Sequence, residues 1–163
     1  MKKVAPLAFI VVAVLAGCMA NQKHHIRDQP ATGSKIPRKA VTGPIPFNKN
    51  YEELTDSEKK AFTLVYENFP PQDEPPFPIG GLEVISKPIH KAQEKRLARG
   101  SLSIIAVVDE QGVVRKAEVY ESPDKYISKV ATAVLFSTKF KPGKCSGTPC
   151  VMEFPFFFNF LVK

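Results

Sequence analysis

The sequence is poor in the residue types on which most enzyme and metal sites depend. It has three histidines, three cysteines and no tryptophan among 163 residues. His24 and His25 adjoin, but His90 lies far from them, so the sequence offers no four-ligand set of the kind that a structural metal needs. No serine lies in a nucleophile-elbow context, and no glycine-rich loop suits a phosphate. We therefore expect no enzyme, no metal site and no cofactor.

The N-terminus also lacks a hydrophobic run long enough to cross a bilayer. Two lysines precede an apolar run from Val4 to Ala16, whereas a spanning helix needs about 20 apolar residues. This order is typical of a secretory signal peptide. The run ends in the letters LAGC, which resemble the lipobox of bacterial lipoproteins and imply cleavage after Gly17 and lipid attachment to Cys18. The alternative is a short uncleaved anchor helix with an incidental cysteine.

The net charge of the chain and the residue after Cys18 indicate where in the cell the protein is located. The formal net charge is +7, a mild excess that favours anionic lipid or acidic partners. An exported protein would rarely meet nucleic acid, so we expect no nucleic-acid partner. Met19 follows Cys18, whereas an aspartate there would resemble an inner-membrane retention signal. We therefore expect a lipid-anchored protein that faces the periplasm, with the outer membrane favoured over the inner.

The chain after the signal peptide (residues 1–17) divides by composition. Residues 18–50 are polar and rich in proline and glycine, as in a flexible tether, and their basic residues either contact lipid headgroups or are simply solvated. In residues 51–79, Thr55 and Glu58 have capping-box spacing before a helix that runs to about residue 68. A proline-rich stretch follows and predicts a stiff, extended connector.

The pattern of residues 80–163 predicts one compact domain. The pattern predicts a strand at Leu82–Lys87, a helix that begins at Pro88, and a strand at Ser101–Asp109. Gly112 then closes a hairpin turn, and a strand at Val113–Glu121 returns antiparallel. Its inward residues should be Val113, Ala117 and Val119.

The rest of the domain predicts one more helix and one more strand. Ser122 is a plausible cap with Pro123 at the first helical position, and the outward positions of the helix should be Lys125, Ser128, Lys129 and Thr132. The last run, Val151–Val162, places alternate aromatic residues on one face. The fold class is therefore α+β, with a three-stranded antiparallel sheet packed by two helices.

The order and spacing of these elements resemble the C-terminal domain of the TonB family of periplasmic energy transducers. The matching features are a proline-initiated helix that ends in glycine (Pro88–Gly100), a strand-turn-strand unit (Ser101–Tyr120) and a helix opened by Ser-Pro. Two further features match, namely the segment Lys139-Phe140-Lys141-Pro142 and a final aromatic strand. The resemblance covers roughly residues 80–162.

The resemblance implies a binding module in which the last strand leaves a sheet edge for an extended segment of a protein partner, such as an outer-membrane receptor or transporter. A lipoprotein keeps no transmembrane helix, which favours an accessory role in TonB-dependent transport. The alternatives are an uncleaved inner-membrane energy transducer and a structural envelope lipoprotein. Carried over to this sequence, the partner-binding residues are Val151, Glu153, Pro155, Phe157, Asn159 and Leu161.

Cys145 and Cys150 flank a short loop. In an oxidising compartment such a pair predicts a disulfide. A redox-active pair is the alternative, although the spacing is not Cys-x-x-Cys.

Overall fold

The computed structural model describes residues 45–67 and 69–160. The predicted signal peptide, the lipidation site Cys18, most of the predicted tether and the predicted edge residue Leu161 lie outside these residues. In chain order the elements are a 3-10 helix (Tyr51–Glu53), α1 (Asp56–Thr63), β1 (Phe77–Pro78), α2 (Glu83–Arg96), β2 (Gly100–Val108), β3 (Val114–Glu121), α3 (Lys125–Ser137), β4 (Phe140–Lys141), β5 (Gly143–Cys145), β6 (Thr148–Cys150) and β7 (Met152–Phe160).

The main sheet has three antiparallel strands in the order β3-β2-β7. This confirms an α+β fold with a three-stranded antiparallel sheet. Helices α2 and α3 pack against each other and bury their apolar sides in the same core as the sheet. Residues at alternate positions of β2 form the floor of that core, namely Leu102, Ile104, Ala106 and Val108.

The capping box at the start of α1 is confirmed. Thr55 Oγ1 accepts from the N–H of Glu58, and the Glu58 carboxylate accepts from the N–H of Thr55 at 2.7 Å. The helix ends at Thr63, earlier than predicted. Phe62 inside the helix and Val65 just after its end are nevertheless almost completely buried.

Residues 45–79 are part of the same folded unit as the residues after position 80. Ile45, Tyr51, Phe62 and Phe77 belong to the core that also contains the sheet. The proline-rich connector is held by backbone pairing: β1 pairs with β4, and Glu74 exchanges two backbone hydrogen bonds with Lys144 at 2.9 and 2.8 Å. The connector is thus an integral layer of the fold rather than a spacer that stands apart from it.

The predicted strand at Leu82–Lys87 is wrong, because α2 already begins at Glu83. Leu82, Ile85 and Ile89 are buried at helical spacing, and Ala92 continues the same side. Pro88 consequently lies inside the helix, not at its first position.

The hairpin between β2 and β3 is confirmed, with one shift of register. Gly112 has φ +74°, the left-handed conformation that the turn requires. Val113 was expected inward but is exposed, and Val114 takes its place with 3% exposure. The cause is an irregularity in the pairing after Val107, which moves the buried position by one residue.

Helix α3 is capped by Asp124 rather than by Ser122. The Asp124 carboxylate accepts from the N–H groups of Tyr126 and Ile127. Ser128 and Thr132 were expected outward, but both are buried, so α3 is covered on more than its apolar stripe. Lys125 and Lys129 are exposed, as predicted.

Candidate partner-binding edge

The last strand, β7, forms one edge of the three-stranded sheet. It runs for nine residues beside β2 in an unbroken antiparallel register. Its alternation agrees with the predicted pattern, since Phe154, Phe156 and Phe160 are buried in the core. The side opposite β2 is therefore where an added strand would bind.

One hydrogen bond shows how the backbone of β7 is oriented. The Tyr66 hydroxyl donates to the Glu153 carbonyl at 2.7 Å, although these residues are 87 positions apart. This carbonyl is thus directed away from Val107, the residue opposite it on β2. Because antiparallel partners alternate between bonded and non-bonded pairs, Pro155, Phe157 and Asn159 also direct their backbone groups outward.

Pro155 supports the same orientation. It lies opposite Ile105 and has no N–H to donate to the ladder. Proline is tolerated in a sheet where its missing N–H would face away from the neighbouring strand. The sequence position of this proline therefore agrees with the hydrogen bond from Tyr66.

The first half of the β7 edge is covered by the N-terminal part of the fold. Besides the Tyr66 bond to Glu153, Ile45 and Phe47 line a small cavity of about 40 Å³ together with Pro155, and the same cavity reaches Phe157. Burial raises the pKa of the Tyr66 hydroxyl well above its ordinary value, so the group remains a donor. Pro155 is itself buried. This half of the edge, Glu153–Pro155, is named the covered half.

The second half, Phe157–Asn159, is named the open half. Phe157 is half-buried and Asn159 is exposed. Within the part of the chain that the structure describes, no residue outside the sheet hydrogen-bonds the backbone of either one. The Asn159 side chain accepts from the Ser101 hydroxyl at 2.9 Å, which fixes the end of the strand against β2. The open half therefore presents outward backbone groups on a well-held strand.

An aromatic surface lies beside this edge. The Phe47 and Phe158 rings meet edge to face with centroids 6.5 Å apart, and Phe156 stacks on Phe158 at 6.2 Å. Phe47 remains 41% exposed. Such rings offer an apolar contact to side chains of a strand that pairs with the open half.

The other predicted site residues lie as follows. Val151 is exposed and precedes the first residue of β7. Cys145 and Cys150, the last residues of β5 and β6, are at disulfide distance, with Cα atoms 5.8 Å apart. Across the described ranges, no cluster of histidine, cysteine or acidic side chains is arranged to hold a metal ion. None of the helices described there has the length and apolar character to cross a membrane.

Sequence reasoning missed Tyr66 and Phe47. Tyr66 lies four residues after Phe62, which is a helical spacing that marks it as a neighbour of the buried side of α1. Nothing in the local sequence indicates its bond to Glu153, and Phe47 falls in a stretch whose composition predicts a tether. No family model matches the chain, and its comparison with curated proteins finds no significant match.

Proposed function

We propose that this protein is a lipid-anchored component of a bacterial envelope that binds a protein partner by strand addition to the open half of β7. The observation that supports this most strongly is the outward orientation of the Phe157 and Asn159 backbone on an edge strand. An extended segment of the partner would pair with these groups, and its side chains would contact Phe47 and Phe158.

The covered half limits how much of a partner can bind. Glu153 already accepts a hydrogen bond from Tyr66, and Pro155 offers no N–H. The open half provides the N–H and C=O of two residues, and each net hydrogen bond is worth about 0.5–1.5 kcal/mol. A short segment bound in this way would associate reversibly, with the aromatic contacts adding to its affinity.

The anchoring part of the proposal rests on the LAGC motif at Cys18. The resemblance to the TonB family supports an outer-membrane receptor or transporter as the partner, with an accessory role in its transport. Replacement of Cys18 by Ala should abolish palmitate incorporation and release the protein from membranes. Unchanged membrane insertion of that variant would instead favour an uncleaved anchor.

Strand addition is tested by photo-crosslinking in cells that produce the full chain, with the photoreactive residue at position 159. Phe157→Pro removes one outward N–H at a register position that already accepts proline at Pro155. We expect this change to abolish a crosslink to an envelope protein. The matched variant Phe157→Ala retains the N–H and should keep most of the crosslink.

Two results would contradict strand addition. One is a crosslink of equal yield in the proline and alanine variants, because a side-chain contact would then explain it. The other is the absence of any crosslinked protein at position 159 while the chain remains folded by circular dichroism.

A further inference from the structure

A strongly basic surface lies where α2 ends and α3 begins. Arg96 forms an ion pair with Asp124, so these two helix ends are in contact. We call this surface the basic corner, and define it by the charged residues of the two helix ends with Leu97 and Tyr126 between them. It contains five basic residues and two acidic ones; in chain order these are Glu94, Lys95, Arg96, Arg99, Asp124, Lys125 and Lys129.

One of the two carboxylates of the basic corner, that of Asp124, is already engaged within it. Asp124 accepts from the N–H of Tyr126 at 2.7 Å and from Arg96 Nη2 at 3.3 Å. Glu94 lies 3.5 Å from the His90 ring. Within the described residues the remaining cations have no ion pair, namely Lys95, Arg99, Lys125 and Lys129. The corner therefore carries positive charge that the fold does not neutralise.

Leu97 is the second unusual feature of the corner. It has φ +48° at the end of α2, a left-handed conformation that leucine rarely adopts and that glycine usually supplies. Its side chain is nonetheless 75% exposed, so packing does not explain why a large apolar residue occupies this place. The backbone presents an apolar side chain to solvent in the middle of a cluster of cations.

Tyr126 completes the surface. It is 42% exposed, and the Arg96 guanidinium lies 6.0 Å from the centre of its ring. Tyrosine and leucine beside lysine and arginine form the combination that favours a lipid–water interface, where apolar groups enter and cations meet phosphate.

The opposite sign of charge is found elsewhere on the molecule. Residues 51–67 contain five carboxylates and two lysines, the reverse of the basic corner. This segment also exposes a leucine, Leu64, at 73%. The described residues therefore contain two exposed leucines of similar accessibility, one at the basic corner and one in a segment with more carboxylates than lysines.

We propose that the basic corner docks on an anionic lipid surface, with Leu97 entering the interface and the unpaired cations contacting headgroup phosphates. The positive charge of the corner is complementary to the negative charge of anionic headgroups, which favours a lipid surface as its binding partner. The inference is independent of strand addition at β7. It also adds an orientation: Gly100, directly after the corner, pairs with Phe160, so docking would bring the end of the open half close to the membrane.

The chain has no tryptophan, so one introduced residue reports its own surroundings. The test uses the full chain with Leu97→Trp, mixed with vesicles of phosphatidylglycerol and phosphatidylcholine or of phosphatidylcholine alone. We expect a blue shift of the emission on the anionic vesicles only, reversed by high salt. Leu64→Trp is the matched control and should show no shift, and attachment through the N-terminus affects both reporters equally.

Neutralising three cations of the corner sharpens the test. In the Leu97→Trp background, Lys95→Gln, Arg99→Gln and Lys129→Gln together should weaken the response to anionic vesicles about tenfold or more. Lys59→Gln with Lys60→Gln on α1 should change it little. Equal shifts of both reporters, a shift on neutral vesicles, or no shift at all would overturn the proposal. A shift with polyglutamate but not with vesicles would assign the corner to an acidic protein and overturn it as well.

Discussion

The two halves of the β7 edge belong to one strand but have different surroundings. In the covered half, the Glu153 carbonyl accepts from Tyr66, and Pro155 offers no donor. In the open half, Phe157 and Asn159 direct their backbone groups outward, and no residue described outside the sheet contacts them by hydrogen bonds. Within the described residues, the fold thus protects one half of an exposed sheet edge, and the other half is the stretch to which we propose that a partner strand binds.

The cover itself comes from residues 45–79, which precede the domain predicted from residue 80 onward. Phe62 in α1 packs on Phe77 and Phe154, with ring centroids 5.3 and 6.0 Å apart. The N-terminal segment is therefore coupled to β7 through the core as well as through Tyr66. Changes that weaken this coupling should make the covered half resemble the open half.

The largest effect is expected from Phe62→Ala. This side chain is 1% exposed between two other rings, and truncation of a buried phenylalanine costs about 3–5 kcal/mol in the free energy of unfolding. Urea denaturation followed by circular dichroism measures the loss. A loss below about 1 kcal/mol would show that α1 does not belong to the cooperative unit that contains β7.

A smaller effect is expected from Tyr66→Phe, which removes only the hydroxyl that reaches Glu153. The loss of one hydrogen bond should lower the free energy of unfolding by about 0.5–1.5 kcal/mol. Crosslinking from position 159 should persist, and a photoreactive residue at position 153 should gain access to the partner. If Tyr66→Phe instead abolished binding at position 159, Tyr66 would belong to the binding surface and not to the cover.

The smallest effect concerns pH. Hydrogen bonds from Lys141 and then Lys144 lower the pKa of Glu74, which ties the connector to β4 and β5. Because the pKa is lower in the folded state, this stabilisation is complete above the ordinary value of 4.5 and is lost as the pH falls below it through the folded value.

Glu74→Gln therefore should destabilise the protein modestly at pH 7 and much less below pH 4.5. Unfolding free energies of both proteins across this range give the comparison. A difference that stayed constant with pH would show that the charge of Glu74 does not contribute to holding the connector.

The elements of the sheet could be predicted because their signals are local. Alternation identified β2 and β7, and Asp-x-x-Gly identified the turn at Gly112. The start of α2 was misjudged because a strand and the first turn of a buried helix both show short apolar runs. The inward shift from Val113 to Val114 depends on a pairing irregularity that one strand alone does not reveal.

The candidate site was predicted only in part, for a related reason. The sequence indicates that β7 is an aromatic strand, and Pro155 indicates which alternate residues direct their backbone groups away from the neighbouring strand. Its cover depends on contacts between residues 87 positions apart, such as Tyr66 with Glu153. No periodicity or composition carries that information, so the distinction between the two halves required the fold.

Amide hydrogen exchange along β7, followed by NMR in the full chain, tests the central claim most directly. The N–H groups of Phe157 and Asn159 should exchange rapidly, while those of Phe156 and Phe158, which face β2, should be strongly protected. Addition of the crosslinked partner's segment as a peptide should slow exchange at Phe157 and Asn159. Uniform protection along the strand of the protein alone, or no slowing with the peptide, would contradict an open edge that binds by strand addition.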